Sequence, residues 1–406
     1  MRRKVLLAAA LAATAAAWAG CGGGGSPLPI NPPPPVVNNT VPVQVTLGPT
    51  GNYVNGLFVT VTICAPGTAQ CDTIPNVLVD TGSFGLRILA SQTTLNYPQI
   101  NDSNGNPLGN CGTFADSFVW GPVAAADVIL GNEKASSVPI QLIGQGAING
   151  NANFPPPPAA CTNSGLPPND TVQSLGANGI LGIGVFRHDC GAGCAPGGAS
   201  PIPPVYFSCP STGCTATYVD LADQLQNPVW LFPQDNNGVM VNLPSIPAQG
   251  DTTSAGTLTF GIDTQSDNGL GTAQVFTVDS NGEMTTTFKT TTVPSVIDTG
   301  SNLLFFLDSA TTGLPLCSSN NAFYCPTSTV NLSATNIGAA KETGTVNFSV
   351  GDAETLFNSG NAAFNDVGGP SAGSFDWGMP FFFGRKVFFA INTLQTPVGP
   401  GPYFAY

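Results

Sequence analysis

The chain has 406 residues and few charges, 23 acids against 10 bases, for a formal net charge of −13. That balance disfavours a nucleic-acid partner, because phosphate contacts need clustered Lys and Arg. With only 8% of residues charged, 49 Gly and 37 Pro, hydroxyls and amides must cover the surface. Such a surface changes little in charge at low pH.

Residues 1–21 read as an export signal. Arg2-Arg3-Lys4 supplies the basic start, and the apolar run 5–17 is too short to span a membrane as a mature helix. Trp18-Ala19-Gly20-Cys21 resembles a bacterial lipobox, with Cys21 as the acylated residue; Ala17-Trp18-Ala19 could instead serve ordinary signal peptidase. Residues 22–40 are rich in Gly and Pro and read as a disordered tether. The expectation is a lipid-anchored envelope protein that meets the membrane only through its anchor. Gly22, rather than Asp, after the Cys favours an outer membrane where the host has one.

Two alternating strand candidates fill 41–64 around a turn at 48–52, and 74–89 reads as strand, turn, strand. Residues 114–142 read as a hairpin turning near Gly121-Pro122, followed by another strand. Residues 144–168 form a Pro/Asn/Gly-rich loop, 180–185 a short buried strand, and 218–226 a helix. The polar stretch 244–254 is the best boundary between an N-terminal lobe, 41–250, and a C-terminal lobe, 251–406. Short Val/Ile/Thr/Phe runs broken by Gly, Pro and Asn make the whole mostly β.

Of 11 Cys, ten remain without Cys21. An exported chain with an even set implies disulfides. Short spacings suggest Cys64/Cys71, Cys190/Cys194, Cys209/Cys214 and Cys317/Cys325, with Cys111 and Cys161 left over, but spacing does not fix connectivity. A metal site at Cys190, Cys194, Cys209 and Cys214 with the lone His188 is the alternative. Its intervals are wider than the usual knuckle and an oxidising compartment favours pairing, so no metal is expected; no phosphate loop or dinucleotide fingerprint appears, so no other cofactor is expected either.

The most specific feature is Asp-Thr-Gly-Ser, present at Asp80-Thr81-Gly82-Ser83 and again at Asp298-Thr299-Gly300-Ser301. Each copy lies between apolar runs: Val77-Leu78-Val79 and residues 86–89, then Val296-Ile297 and residues 303–307. One such tetrapeptide is an ordinary turn. Two in matching contexts suggest a symmetric carboxylate pair on a duplicated lobe.

These residues resemble the pepsin-like aspartic proteases. Further elements agree: residues 56–80 resemble the family's opening hairpin, and Gly179-Ile180-Leu181-Gly182 its hydrophobic-hydrophobic-Gly element. Residues 256–263 resemble the strand that opens the second lobe. Asp376-Trp377-Gly378 resembles the second hydrophobic-hydrophobic-Gly element, with Asp376 an unexpected polar member. The resemblance covers roughly residues 41–406. It implies an all-β, bilobal fold with a cleft between two β-barrel lobes, and a monomer. Asp80 and Asp298 would share one proton and activate a water against a peptide bond. Gly82 and Gly300 would allow the tight turns, Thr81 and Thr299 would tie them together, and Ser83 and Ser301 would orient the carboxylates. The substrate class implied is an extended peptide or unfolded protein.

Two departures are visible. Arg87 stands where the family has a Trp seven residues after the first Asp, and would favour ionised carboxylates nearby. The hairpin near Phe118-Val119-Trp120-Gly121 lacks the family's flap Tyr, which leaves Phe118 or Trp120 to cover the cleft. They motivate the alternative of a pepsin-like fold kept for binding peptide or glycan, with hydrolysis lost. Residues 22–79 contain no Lys, Arg or His, so no basic prosegment is expected to pair with the carboxylates.

Overall fold

The computed structural model describes residues 38–144 and 154–406. The expected export signal, Cys21 and nearly all of the expected tether lie outside the described residues. So does the middle of the 144–168 loop.

Strand-forming residues dominate, and the described chain is all-β. Fifteen strands join one continuous sheet and seven form a second. The first strand, Thr40–Thr46, alternates buried and exposed positions, the pattern of a strand with one face on the core. It pairs with Gly56–Cys64 on one edge and with Ser254–Phe260 on the other. Beyond Ser254–Phe260 come Gly238–Asn242, Lys386–Ala390 and Tyr403–Ala405. Strands from early and late sequence therefore share one platform, and the two Asp-Thr-Gly-Ser turns rise from different sheets.

Around each turn the topology is the same. Cys71–Asp80 enters the first turn and Phe84–Leu89 leaves it, while Gly179–Ile183 threads between them, parallel to the first and antiparallel to the second. Thr291–Ile297 and Leu304–Leu307 flank the second turn, and Ser371–Trp377 threads between them in the same two senses. A threaded strand has neighbours on both edges. Gly179–Ile183 is buried at every position, which is why it reads as an unbroken apolar run.

Glycines make the threading possible. A Cβ on Gly182 would stand 2.6 Å from the backbone nitrogen of Phe84, and one on Gly378 would stand 2.0 Å from the carbonyl oxygen of Leu303. Below the second turn Trp377 is fully buried and stacks on Phe375 at 4.1 Å. Its indole N–H is satisfied by Asn336 Oδ1 at 2.9 Å.

Two local expectations are overturned. The chain does not reverse at Gly121-Pro122: Phe118–Leu130 is one continuous strand. Residues 118–122 pair with Leu108–Thr113, and the remainder pairs with Glu133–Ile143. Gly121 and Pro122 mark that exchange of partner. A Cβ on Gly121 would lie 1.9 Å from the Leu142 carbonyl oxygen, and Pro122 has no N–H to give a ladder. The expected helix at 218–226 is only a 3₁₀ turn, Leu221–Asp223. It is too short for helical propensity to outweigh the surrounding loop contacts.

The ten cysteines among the described residues form five disulfides: Cys64–Cys71, Cys111–Cys161, Cys190–Cys194, Cys209–Cys214 and Cys317–Cys325. The four sulfurs of the alternative metal site near His188 are thus oxidised in pairs and cannot act as thiolates. His188 instead sits half-buried with its ring 6.0 Å from that of Trp230.

Candidate active site

The two turns meet tip to tip. The Thr81 N–H donates to Thr299 Oγ1 at 3.1 Å, and the Thr299 N–H donates to Thr81 Oγ1 at 2.9 Å. Each hydroxyl then donates onward into the opposite motif, Thr81 to the Ile297 carbonyl at 3.3 Å and Thr299 to the Val79 carbonyl at 2.7 Å. All four contacts are buried, where an unmade hydrogen bond is costly.

That interlock brings the carboxylates together. Asp80 accepts from the Gly82 N–H at 2.9 Å and from Ser83 Oγ at 2.5 Å. Asp298 accepts from the Gly300 N–H at 2.7 Å and from Ser301 Oγ at 3.0 Å. Each carboxylate also lies against the other motif's glycine. A Cβ on Gly82 would stand 2.7 Å from Asp298 Cγ, and one on Gly300 would stand 2.6 Å from Asp80 Oδ1. Neither glycine can carry a side chain without displacing a carboxylate.

Burial pushes the Asp298 carboxyl well above its usual range, and the charges of Asp80 and Asp376 push further. The Gly300 N–H and Ser301 hydroxyl pull the other way. A carboxyl so placed keeps a proton where an isolated one would have lost it.

Two cavities open at the pair. One, of about 570 Å³, is lined by Asp80, Asp298 and Asp376 together with Tyr53, Ile180 and Phe305. The other, of about 490 Å³, is lined by Asp80, Asp298, Ser83, Arg87, Phe114 and Asp189. Ala115 and Phe114 border both.

A family model described as a protein of unknown function, DUF3443, matches residues 35–406. The chain belongs to the DUF3443 family. No curated protein is found to match it.

In this DUF3443 member Phe118 and Trp120 do not cover the cleft, contrary to the sequence expectation. Both are buried in a side cluster with Phe154 and Phe207. The Trp120 indole N–H is taken by the Pro155 carbonyl at 2.9 Å. The reason is the unbroken strand: with no reversal at Gly121-Pro122, the hairpin tip falls earlier, at residues 114–117. The Phe114 N–H closes that turn on the Ser117 carbonyl at 2.8 Å, and the tip reaches both cavities.

Arg87 does border the second cavity, but its charge is directed elsewhere. Nη2 pairs with Asp189 at 3.4 Å, and Nη1 donates to the Phe84 carbonyl at 2.7 Å. Asp189 is further held by the Tyr206 hydroxyl at 2.5 Å and Asn110 at 3.1 Å. Burial raises the Asp189 carboxyl, while Arg87, Tyr206 and Asn110 oppose that rise. The guanidinium thus has its own counter-ion, which removes the sequence-based reason for expecting it to hold Asp80 and Asp298 ionised.

Three residues escaped the sequence reading. Tyr53 borders the first cavity, and its hydroxyl is pushed up by burial and by the charges of Asp80, Asp116 and Asp298. Asn55 bridges the halves, donating to the Asn302 carbonyl at 2.8 Å and accepting from the Phe364 N–H at 2.7 Å. Asp189 follows His188 in the chain, and its partner Arg87 lies 102 residues away. No local signal marks Tyr53 or Asn55, because both sit in a turn whose sequence would suit any hairpin.

Proposed function

We propose that this protein is an exported aspartic endopeptidase of pepsin-like, bilobal architecture, with Asp80 and Asp298 as its catalytic pair. The observation that carries the reading is the reciprocal Thr81–Thr299 interlock, which sets both carboxylates at the mouth of two cavities. Two carboxyls about 3 Å apart cannot both ionise and share one proton. The ionised member takes a proton from a bound water. The neutral member donates to the scissile carbonyl oxygen, and the proton gained passes to the leaving amine. Asp298 is the better holder of the shared proton, given its burial and negative neighbours. An extended peptide would run across the two cavities, beneath the hairpin tip at 114–117.

The test uses the purified protein from residue 22 onward, incubated with denatured protein across pH 3–7. Cleavage should be blocked by a transition-state-mimicking peptide inhibitor and lost in Asp80→Asn and Asp298→Asn. Cleavage that persists in either variant rejects the two-carboxylate mechanism. A second reading, a peptide- or glycan-binding module without hydrolysis, draws on Arg87, which is locked to Asp189 where the protease family has Trp. Absence of cleavage at every pH, with inhibitor binding retained, decides for it. Tethering through Cys21 is a separate proposal. Wild type should partition into detergent and Cys21→Ser should not.

A further inference from the structure

Asp376 lies on the strand that threads between the arms of the second turn. Its Oδ2 is 2.5 Å from Ser301 Oγ, and the same Ser301 Oγ is 3.0 Å from Asp298 Oδ2. A serine hydroxyl has one proton to give. It can therefore donate to Asp298 or to Asp376, and the remaining contact needs a proton from the carboxyl itself. Asp376 Oδ1 is buried and has no hydrogen-bond partner among the described residues. An ionised Asp376 would leave that oxygen unsatisfied beside two other acids. The first motif has no counterpart, since Ile180 occupies the matching place and Ser83 serves Asp80 alone.

We propose that Asp376 is a positioning residue of the carboxylate site, a carboxylic acid that donates to Ser301 and so turns the serine hydroxyl onto Asp298. Burial and the charge of Asp80 push the Asp376 carboxyl up to about 7, against the pull of Ser301. The ionisable groups facing it are Asp80 from the first turn and Asp298 from the second. Its strand neighbours, Val296 and Phe305, carry no charge. Tyr53 and, from the hairpin tip, Asp116 border the same cavity, and Arg87 is engaged by Asp189.

Two consequences follow for Asp298. Below the titration of Asp376, Ser301 donates to Asp298 and fixes its carboxylate plane. Above it, Asp376 becomes an acceptor, draws the Ser301 hydrogen away and adds a third negative charge. Both changes strengthen the hold of Asp298 on its proton. Asp376 would thereby keep the pair singly protonated to higher pH than two carboxyls alone.

The rate arm of the test rests on the proposed hydrolase activity; the titration arm does not. Aspartate carboxyls labelled with ¹³C are titrated in wild type, Asp376→Asn, Asp376→Ile and Ser301→Ala. One wild-type resonance should titrate near neutrality and vanish in both Asp376 variants. The apparent midpoint of Asp298 should fall by about half a unit or more in Asp376→Asn. Ser301→Ala should raise the Asp376 midpoint. In peptide cleavage, Asp376→Asn, whose amide still donates to Ser301, should keep its optimum rate within about threefold while its basic limb moves to lower pH. Asp376→Ile, which cannot donate, should lose about tenfold or more at every pH. The proposal fails if no resonance near neutrality disappears, if the basic limb of Asp376→Asn is unmoved, or if Asn and Ile behave alike. If wild type cleaves nothing, the hydrolase reading fails and the titrations alone decide the role of Asp376.

Discussion

Ile180 and Asp376 occupy equivalent places in the two halves of the site. Ile180 pairs with Leu78 and Arg87, and Asp376 pairs with Val296 and Phe305. In each half the partners lie two residues before and seven residues after the motif Asp. The first half thus carries its charge on the outgoing strand, as Arg87, and the second on the threaded strand, as Asp376. Between them the halves match in backbone and differ in electrostatics. That difference gives Asp80 and Asp298 separate environments within a common geometry.

The first prediction concerns the interlock. Thr81→Val removes a hydroxyl that accepts the Thr299 N–H and donates to the Ile297 carbonyl. A buried donor and a buried acceptor are left without partners, at a cost of about 1–3 kcal/mol. Thr299→Val should cost a similar amount. Because the two hydroxyls form one network, the double variant should lose less than the sum of the singles. Urea denaturation of the four proteins measures this; strict additivity would mean that the contacts are independent.

The second separates two roles of glycine. Gly378→Ala meets backbone, with its Cβ 2.0 Å from the Leu303 carbonyl oxygen. It should destabilise by about 3 kcal/mol or more, as overpacking that side chains cannot relieve. Gly82→Ala meets the Asp298 carboxylate at 2.7 Å instead. Its cost to stability should be smaller, while displacement of the carboxylate should lower kcat/KM by about a hundredfold or more. Thermal melts alongside peptide hydrolysis distinguish the two.

The sequence carried the site better than its surroundings. Asp80, Thr81, Asp298 and Thr299 were legible because polar turns between apolar runs need a reason, and the duplicate supplied it. Strands with clean alternation, such as Thr40–Thr46, were legible for the same kind of reason. The position of the hairpin tip was not. Gly121-Pro122 is a turn signal, yet both residues are needed inside a strand where it changes partner. Phe114 became a cleft residue through that shift alone. The Arg87–Asp189 pair spans 102 residues, so nothing local announces it. In the reading of Asp376, the residue was visible and its partner was not, because Ser301 had already been assigned to Asp298.

The third prediction follows from that long-range pair. Arg87→Leu leaves Asp189 buried with one charged partner fewer, and should cost about 3–5 kcal/mol. Arg87→Leu combined with Asp189→Asn removes both charges and should recover much of the loss. The cleavage pH profile of the combined variant should keep the wild-type acid limb, because Arg87 has Asp189 as its counter-ion. Chemical denaturation measures the first two effects. An acid limb displaced upward by a unit or more would mean that Arg87 acts on the Asp80–Asp298 pair after all.

The last prediction is a pH dependence of stability away from the site. Glu133 is buried where the hairpin strands Phe118–Leu130 and Glu133–Ile143 meet. Burial pushes its carboxyl up to about 7, and the neighbouring charge of Asp235 adds to the effect. Asp235 is held in turn by Thr264 and Gln265. In the unfolded chain Glu133 titrates at its ordinary value of 4.5. Between that value and about 7 the folded state binds the extra proton, so stability falls as pH rises through this window. Glu133→Gln keeps the hydrogen-bonding shape without a charge. It should remove this part of the fall and leave the variant more stable than wild type at pH 8, by roughly 3 kcal/mol. At pH 4, where Glu133 is protonated in both states, the two should be nearly equal. Asp80, Asp298 and Asp376 are unchanged in the variant, so the difference between the two stability curves isolates Glu133. A variant less stable than wild type at pH 8 would show that the carboxylate is a net stabilising group there, and that its burial is compensated by contacts other than the proton it holds.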